Sequence, residues 1–332
     1  MNKVSAFALA FVGALAAMSA STLPATAQGW PDRPVKIIVP FGAGGSGDTL
    51  ARVVADRLSV TFKQQFVVEN RTGAGGMIGA QAIASSSPDG YTIGITNLST
   101  LALVPAINPA VTYNPVSSFT HISYVAGAPV ALTATQSAGI KTLAGFIEAA
   151  KRAATSGGRP LTFASSGVGS DGHLTGVAIS LATGAPLEHV PYRSTSQAMT
   201  DVVAGHVMLS TFTLSSSAQF LRSGQLVGIA VTSPERMPDQ PELPTFKELG
   251  YPGLVGTTWF SLSGPVGFPA DIAERINAEV TKAVTTPEVQ ARLQRDGFIA
   301  QPMSPADFTR FVTEEIARWR PLVDKAGLAG KG

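Results

Sequence analysis

The chain has 332 residues, with 24 Lys plus Arg against 22 Asp plus Glu for a formal charge of +2, and no cysteine. That length suggests about two domains of ordinary size, and a composition of 45% hydrophobic and 14% charged residues excludes a disordered chain. The charges form no runs, which excludes the electrostatic footprint of a nucleic-acid or anionic-membrane binder, and the lack of Cys excludes disulfides, thiolate metal sites, a cysteine nucleophile and a lipidated N-terminal Cys.

Lys3 precedes an apolar run from Val4 to Ala20, followed by Pro24 and Ala25-Thr26-Ala27. This pattern predicts a signal peptide over residues 1–27, cleaved after Ala27 so that the mature chain starts at Gln28. No twin-Arg pair precedes the run, so export of an unfolded chain is expected, which counts against a cytosolic cofactor. No later apolar stretch reaches the roughly 18 residues needed to cross a bilayer.

The rest alternates β-branched runs with amphipathic ones, the α/β pattern. A strand over Val35–Pro40 meets a glycine-rich turn and then a helix from about Asp48, with Leu50, Val53, Val54 and Leu58 on one face. Phe66–Glu69 reads as a strand, Ala80–Ala84 as helical, and Pro88-Asp89-Gly90 as a turn into the strand Tyr91–Thr96. A strand is expected around Ile122–Ala134. Thr142 caps a helix with Leu143, Phe146, Ile147 and Ala150 on one side, ended by Gly157-Gly158. Leu161–Ala164, Leu187–Val190, Met208–Thr211 and Leu226–Thr232 read as strands, and Asp171–Thr183, Thr195–Ala204 and Ser216–Ser223 as helices. The final third is expected to be helical: Asp271–Thr285, Pro287–Arg295, and a helix from the N-cap Ser304 with Pro305 at its first position and Phe308, Phe311, Val312, Ile316 and Trp319 as its buried stripe.

Three polar turns before helices carry the candidate chemistry. Gly42-Ala43-Gly44-Gly45-Ser46-Gly47 matches G-x-G-x-x-G after a strand, with Glu69 about 20 residues on, as a dinucleotide site requires. The export signal, Pro40-Phe41 before the glycines, and Asp48, which brings negative charge to the helix start, all weaken that reading. Glycines that let backbone N–H groups approach an anion at a positive helix end would serve a carboxylate equally well. The second turn, Ser165-Ser166-Gly167-Val168-Gly169-Ser170-Asp171-Gly172-His173, adds hydroxyl donors; it has no G-x-S-x-G register for a nucleophile elbow. The third, Tyr192-Arg193-Ser194-Thr195-Ser196, offers Arg193 to a carboxylate. His121, His173, His189 and His206 lack metal-ligand spacing. Phe41, Phe163 and Phe212 are candidates to floor an aromatic ligand, though such residues at strand ends are more often core.

Trp30-Pro31-Asp32-Arg33-Pro34, Val39-Pro40-Phe41 with Gly44-Gly45 and Asp48, Val68-Glu69-Asn70-Arg71 with Gly73-Ala74-Gly75-Gly76, and Pro88-Asp89-Gly90-Tyr91 resemble the substrate-binding proteins of tripartite tricarboxylate transporters, the Bug receptors. Ser165-Ser166-Gly167, His173-Leu174, His189-Val190-Pro191-Tyr192, Ala230-Val231-Thr232-Ser233, Pro244-Thr245, Trp259, Pro265 and Glu314 continue the resemblance in order along the mature chain. It implies a two-lobed, type II-like periplasmic binding protein, each lobe a mostly parallel sheet flanked by helices and joined by crossing strands. A small organic carboxylate would bind between the lobes and pass to the integral membrane subunits of a transporter, or be presented to a sensor protein.

By the same resemblance, Phe41, Gly42, Ala43, Gly44, Gly45 and Asp48, with Asn97 and Ser99, would hold one carboxylate from the first lobe. Ser165, Ser166, Gly169, Ser170 and His173 would face it from the second, and Arg193, Ser194, Thr195, Ser196 and Asp201 would read the far end, with Asp201 the acid for any ammonium group. Gly42-Ala43 stands where prolines are common in the family, and Ser194 where Gly is usual. The expected lobes are 28–129 plus 256–332 and 130–255, hinged near Val130 and Val255. No cofactor, catalytic residue, metal or nucleic acid is expected, and the protein is read as a periplasmic monomer. The alternative is an exported enzyme: an oxidoreductase using Gly42–Gly47 or a serine hydrolase using Ser170.

Overall fold

The computed structural model describes residues 29–155 and 159–330. The signal-peptide expectation for 1–27 and the helix stop at Gly157-Gly158 lie outside these residues. The first sheet forms because Val35–Val39 (β1) is apolar on both faces, as a central strand must be, and pairs in parallel with Phe66–Asn70 (β2) and Thr92–Asn97 (β3). Between β1 and β2 runs the helix Ser46–Phe62 (α1), whose Leu50, Val54 and Leu58 recur at spacing of four and bury one stripe on the sheet. The helix starts two residues before the expected Asp48, with Gly45 as its N-cap. Met77–Ala84 (α2) covers the opposite face near β3.

A π-helical turn, Ser99–Leu103, and the short helix Val104–Ile107 (α3) follow β3; neither carries a periodic signal in its residues. Next comes Phe119–Thr135 (β4), 17 residues long and buried at every position but Thr120. Its first part, Phe119 to Pro129, pairs antiparallel with Thr257–Pro265 (β9). From Val130 it pairs instead with Leu209–Thr213 (β7) and, from Ala131, with Leu226–Val231 (β8). One strand therefore belongs to two sheets, and the strand order β2-β1-β3-β9-β4 continues as β7, Leu161–Ser165 (β5) and Leu187–Pro191 (β6).

Parallel pairing joins β1 to β2 and β3, and β5 to β6 and β7, while β4 and β9 supply an antiparallel centre and β8 lies antiparallel on β4. The final third, expected to be helical from Asp271 on, is preceded by a strand that the periodicity did not mark: β9 lies between β3 and β4. Its Thr and Ser content masks its apolar rhythm, and in the fold those hydroxyls pair with each other, Thr96 Oγ1 lying 2.8 Å from both Ser261 and Ser263 Oγ.

On the second sheet pack Leu143–Thr155 (α4), Asp171–Thr183 (α5), Thr195–Val203 (α6) and Leu214–Arg222 (α7). The N-cap of α4 is Thr142, whose Oγ1 accepts from Gly145 N at 3.1 Å. Ala270–Thr285 (α8) and Pro287–Arg295 (α9) return to the first sheet. Pro305–Lys325 (α10) starts from Ser304, whose hydroxyl accepts from Asp307 N at 3.1 Å. Phe308 and Val312 of its expected stripe are buried, and Phe311, Ile316 and Trp319 pack half-buried against the same cluster. The helix also buries Glu315, which accepts from the indoles of Trp259 and Trp319 at 3.0 and 3.1 Å and pairs with Arg318. A buried carboxylate is tolerable only with such partners.

Candidate functional site

The two sheets meet where four helices begin. The loop Phe41–Gly45 enters α1, the turn Ser166–Ser170 enters α5, Arg193-Ser194 enters α6, and β7 runs directly into α7 at Thr213-Leu214. An inner cleft of about 30 Å³ is lined by the starts of all four: Gly45, Ser46 and Gly47; Asp171; Thr195; Thr213 and Ser216. Phe41, Asn97, Ser166, Phe212 and Phe260 complete the wall. Among the described residues no Lys or Arg lines it. Each helix start carries a partial positive charge, so the cleft favours an anion without a cationic side chain.

The loops touch directly across the cleft. Ser46 Oγ lies 2.6 Å from Thr213 Oγ1, 2.5 Å from Ser215 Oγ and 3.0 Å from Ser216 Oγ. Ser196 donates to Ala43 O at 2.9 Å, and Asp171 N donates to Ser99 Oγ at 2.8 Å. A Cβ at Gly42 would come within 2.6 Å of Ser194 Cβ, so glycine is what allows this approach. An outer compartment of about 340 Å³ shares Phe41 and Ser166 with the inner cleft and is also lined by Gly73–Gly76, Val104, Ile107, Gly167–Gly169, Tyr192 and Arg193.

Several expected residues serve as scaffolding around these spaces. Burial pushes the Asp48 carboxyl up, but Arg52, the Gly44 amide and Asn70 together hold it below the usual carboxylate range. Arg52 grips it through Nε and Nη2 at 3.0 Å each, and Gly44 N and Asn70 Nδ2 donate to it at 3.0 Å. Asp48 thus fixes the shape of the glycine loop without lining the cleft. Asn97, which does line it, has Oδ1 accepting from Thr100 N at 3.0 Å. Asp201 is taken by the Tyr192 hydroxyl at 2.7 Å; the acid that lines the cleft is Asp171, which sequence reasoning passed over.

Ser165 and Ser170 are fully buried. Ser170 caps α5, accepting from His173 N, and donates to Ser165 at 3.2 Å, while Ser165 meets His189 Nε2 at 2.6 Å. His173 accepts from Gly169 N at 3.2 Å and stacks on His189, ring centroids 4.0 Å apart. Burial lowers both histidines, His173 to about 4 and His189 to about 3, so both are neutral at pH 7. The group holds the Ser166–Gly169 turn in place.

The enzymatic alternatives fare poorly in this geometry. Ser170 Oγ is committed to a helix cap and to Ser165, and among the described residues no histidine ring hydrogen-bonds to it. In the glycine loop, Gly44 N–H is spent on Asp48, and Glu69, the acid a ribose would need, is paired with Lys36 and Arg71.

Thr213 and Ser216 were not expected at the site. The hydroxyl-rich run Thr213 to Ser217, at a strand-to-helix junction, is the signal that would have found the fourth loop. Of the candidate aromatic floor, Phe41 and Phe212 line the cleft, whereas Phe163 packs beneath His189, 5.0 Å between rings.

Residues 50–328 match the sequence profile of the tripartite tricarboxylate transporter family receptor. The chain is 33% identical over 327 residues to Protein BugT of Bordetella pertussis, covering 96% of this chain and 97% of that one. Among solved structures, the periplasmic binding protein BugD superposes with a TM-score of 0.85 at 30% identity, covering 90% of this chain and 99% of that one. An R. palustris protein solved with adipate superposes at 0.86 with 34% identity and the same coverage.

Proposed function

Since the chain belongs to the tripartite tricarboxylate transporter receptor family and is a solute-binding protein, we propose that its ligand is a small dicarboxylate held where the four helix starts converge. That convergence is the observation that carries the reading. One carboxylate takes the inner cleft, received by backbone N–H groups and the hydroxyls of Ser46, Ser166, Thr195, Thr213 and Ser216. The other end extends past Phe41 into the outer compartment, where Arg193 supplies a bidentate partner. The adipate bound by the R. palustris relative fits this two-ended arrangement.

The protein acts by binding without catalysis. Its lobes are 28–129 with 256–332 and 130–255, rotating about the point where β4 changes sheets and about the return near Val255. The partner-sheet change at Pro129 and Val130 supports this division. Gly42, Ala43 and Gly44 meet Ser194 and Ser196 as the lobes close; Ser165, Gly169, Ser170, His173, Asp48 and Asp201 shape the loops from behind. Exported by residues 1–27 and acting as a periplasmic monomer, the closed form delivers its cargo to the membrane subunits of a transporter, and a sensor protein is a second receiver that the same surface suits.

The test is a thermal-shift panel of C4 to C6 dicarboxylates, monocarboxylates, amino acids and NAD, followed by calorimetry. A dicarboxylate at 100 times its Kd should stabilise by about 2.7 kcal/mol. The Arg193→Ala variant should lose the preference for dicarboxylates over monocarboxylates. Stabilisation by NAD alone would overturn the assignment.

A further inference from the structure

A second cavity, of about 310 Å³, shares Asp171 with the ligand cleft and is lined beside it by Leu98. The site described above does not use it. One wall is α5, through Thr175, Ala178, Leu181 and Ala182; the facing wall is α10, through Arg318, Trp319, Leu322 and Lys325. Val130, Thr232 and Gly256 to Thr258, from the segments that link the two sheets, close its inner end. Two helices that belong to different sheets therefore face each other across open space beside the sheet crossing.

The cavity is graded in polarity. Arg318 and Lys325 are exposed at its rim, and Arg318 is already paired with Glu315 at 3.1 Å. Its walls are apolar, from Leu98, Val130, Ala178, Leu254 and Leu322. Its inner end is polar: Asp171 lies there, and Thr258, only 2% exposed, has a hydroxyl oxygen with no hydrogen-bond partner. A buried hydroxyl left unpaired costs about 1–3 kcal/mol, and a folded protein keeps such a group where a ligand or ordered solvent satisfies it. Burial also pushes the Asp171 carboxyl up, although the backbone N–H groups of Asp171 and Gly172 and nearby hydroxyls pull it down.

We propose that this cavity is a second ligand site, taking a small primary amine on an apolar body, with the ammonium on Asp171 and Thr258 and the body between α5 and α10. An ammonium brings three donors and a positive charge, which matches one carboxylate and one hydroxyl oxygen at the inner end. The volume holds a single aromatic ring with a short chain. Asp171 also lines the ligand cleft and donates its N–H to Ser99 across it. Occupancy of one compartment therefore changes the affinity of the other, by the same factor in both directions.

The probe is 2-phenylethylammonium, with 3-phenylpropanoate as an acid of similar body, titrated calorimetrically into the purified protein without any carboxylate cargo. The amine should bind and the acid should not. Thr258→Val, which keeps the shape, should weaken the amine about tenfold, and Ala182→Trp, at the exposed rim, more than tenfold. Trp319 fluorescence should change on binding, and the Trp319→Phe variant should keep the heat while losing that change. Absence of amine binding would overturn the proposal, as would binding indifferent to both Thr258→Val and Ala182→Trp, a fluorescence change that survives Trp319→Phe, or simple displacement of the amine by a cleft dicarboxylate. Because no cargo is used in the first titration, failure here leaves the dicarboxylate assignment standing, and failure of that assignment leaves this result readable.

Discussion

Gly42 faces Ser194 across the cleft, and the substitution Gly42→Ala tests whether the contact between their loops is the closed state of a moving pair. A Cβ built at Gly42 lies 2.6 Å from Ser194 Cβ and 3.4 Å from Ser194 Cα. Carbon atoms prefer about 3.5–4.0 Å, so one loop must retreat by about 1 Å. Neither side yields easily: Ser194 is the N-cap of α6, its hydroxyl accepting from Gln197 N at 3.3 Å, and the glycine loop is braced by Asp48. Overpacking of this kind costs about 1–3 kcal/mol, and it falls on the closed form alone. Ligand affinity should therefore drop about 5- to 150-fold, while the melting temperature of the unliganded protein stays put. The double variant Gly42→Ala with Ser194→Gly removes the opposing Cβ, and losing the cap to Gly costs only a few tenths of a kcal/mol, so most of the affinity should return. Calorimetry with the best dicarboxylate measures each step. Unchanged affinity in Gly42→Ala, or no recovery in the double variant, would refute the reasoning; a large fall in unliganded stability would show that the contact belongs to the fold and not to a closing motion.

Three further outcomes are expected. Asp48→Ala removes a carboxylate that accepts four charge-assisted or amide hydrogen bonds and should lower unfolding stability by about 2 kcal/mol; since its folded pKa lies below the unfolded one, the wild-type advantage should be present at pH 7 and vanish as the pH falls through the low folded value, read as converging urea midpoints. Gly172→Ala places a Cβ 2.1 Å from Thr211 O, forcing α5 off β7, and should cost about 3 kcal/mol or more in denaturant unfolding; a loss under 1 kcal/mol would mean the helix shifts freely. His121, His173 and His189 are lowered by burial to about 4, 4 and 3, so between pH 6.5 and 4 the unfolded chain takes up protons the folded chain refuses, and stability should fall with decreasing pH at a slope approaching three protons. The raised Asp171 acts with the opposite sign and offsets up to one of these. A flat profile over that window would show the histidines to be solvated.

Most of the architecture was legible because local signals agreed with it. Every β-turn-α unit announced itself by a β-branched run, a glycine or hydroxyl turn, and a stripe at spacing of four, as Leu50, Val54 and Leu58 show. Ser304-Pro305 located the start of the last helix because capping chemistry is written in adjacent residues. Three of the four loops that build the cleft were visible for the same reason: the turn that ends a strand and starts a helix carries its own small and polar residues.

What the sequence could not show depends on pairing between distant segments. β9 lacks a period of its own, and its place between β3 and β4 follows from partners more than 100 residues away, with Ser261 and Ser263 made tolerable by Thr96. The roles of the three acids were likewise undecidable from spacing: Asp48, Asp171 and Asp201 each sit near a polar turn, yet only Asp171 faces the cleft, because Arg52 and Tyr192 claim the other two. The sequence by itself determined the alternating α/β order, the turn chemistry at the helix starts and the resemblance that named a family. Only the tertiary structure decided which helix starts converge and which side chains their partners leave free, since both are set by the crossing of β4 between two sheets and no local residue pattern encodes that crossing.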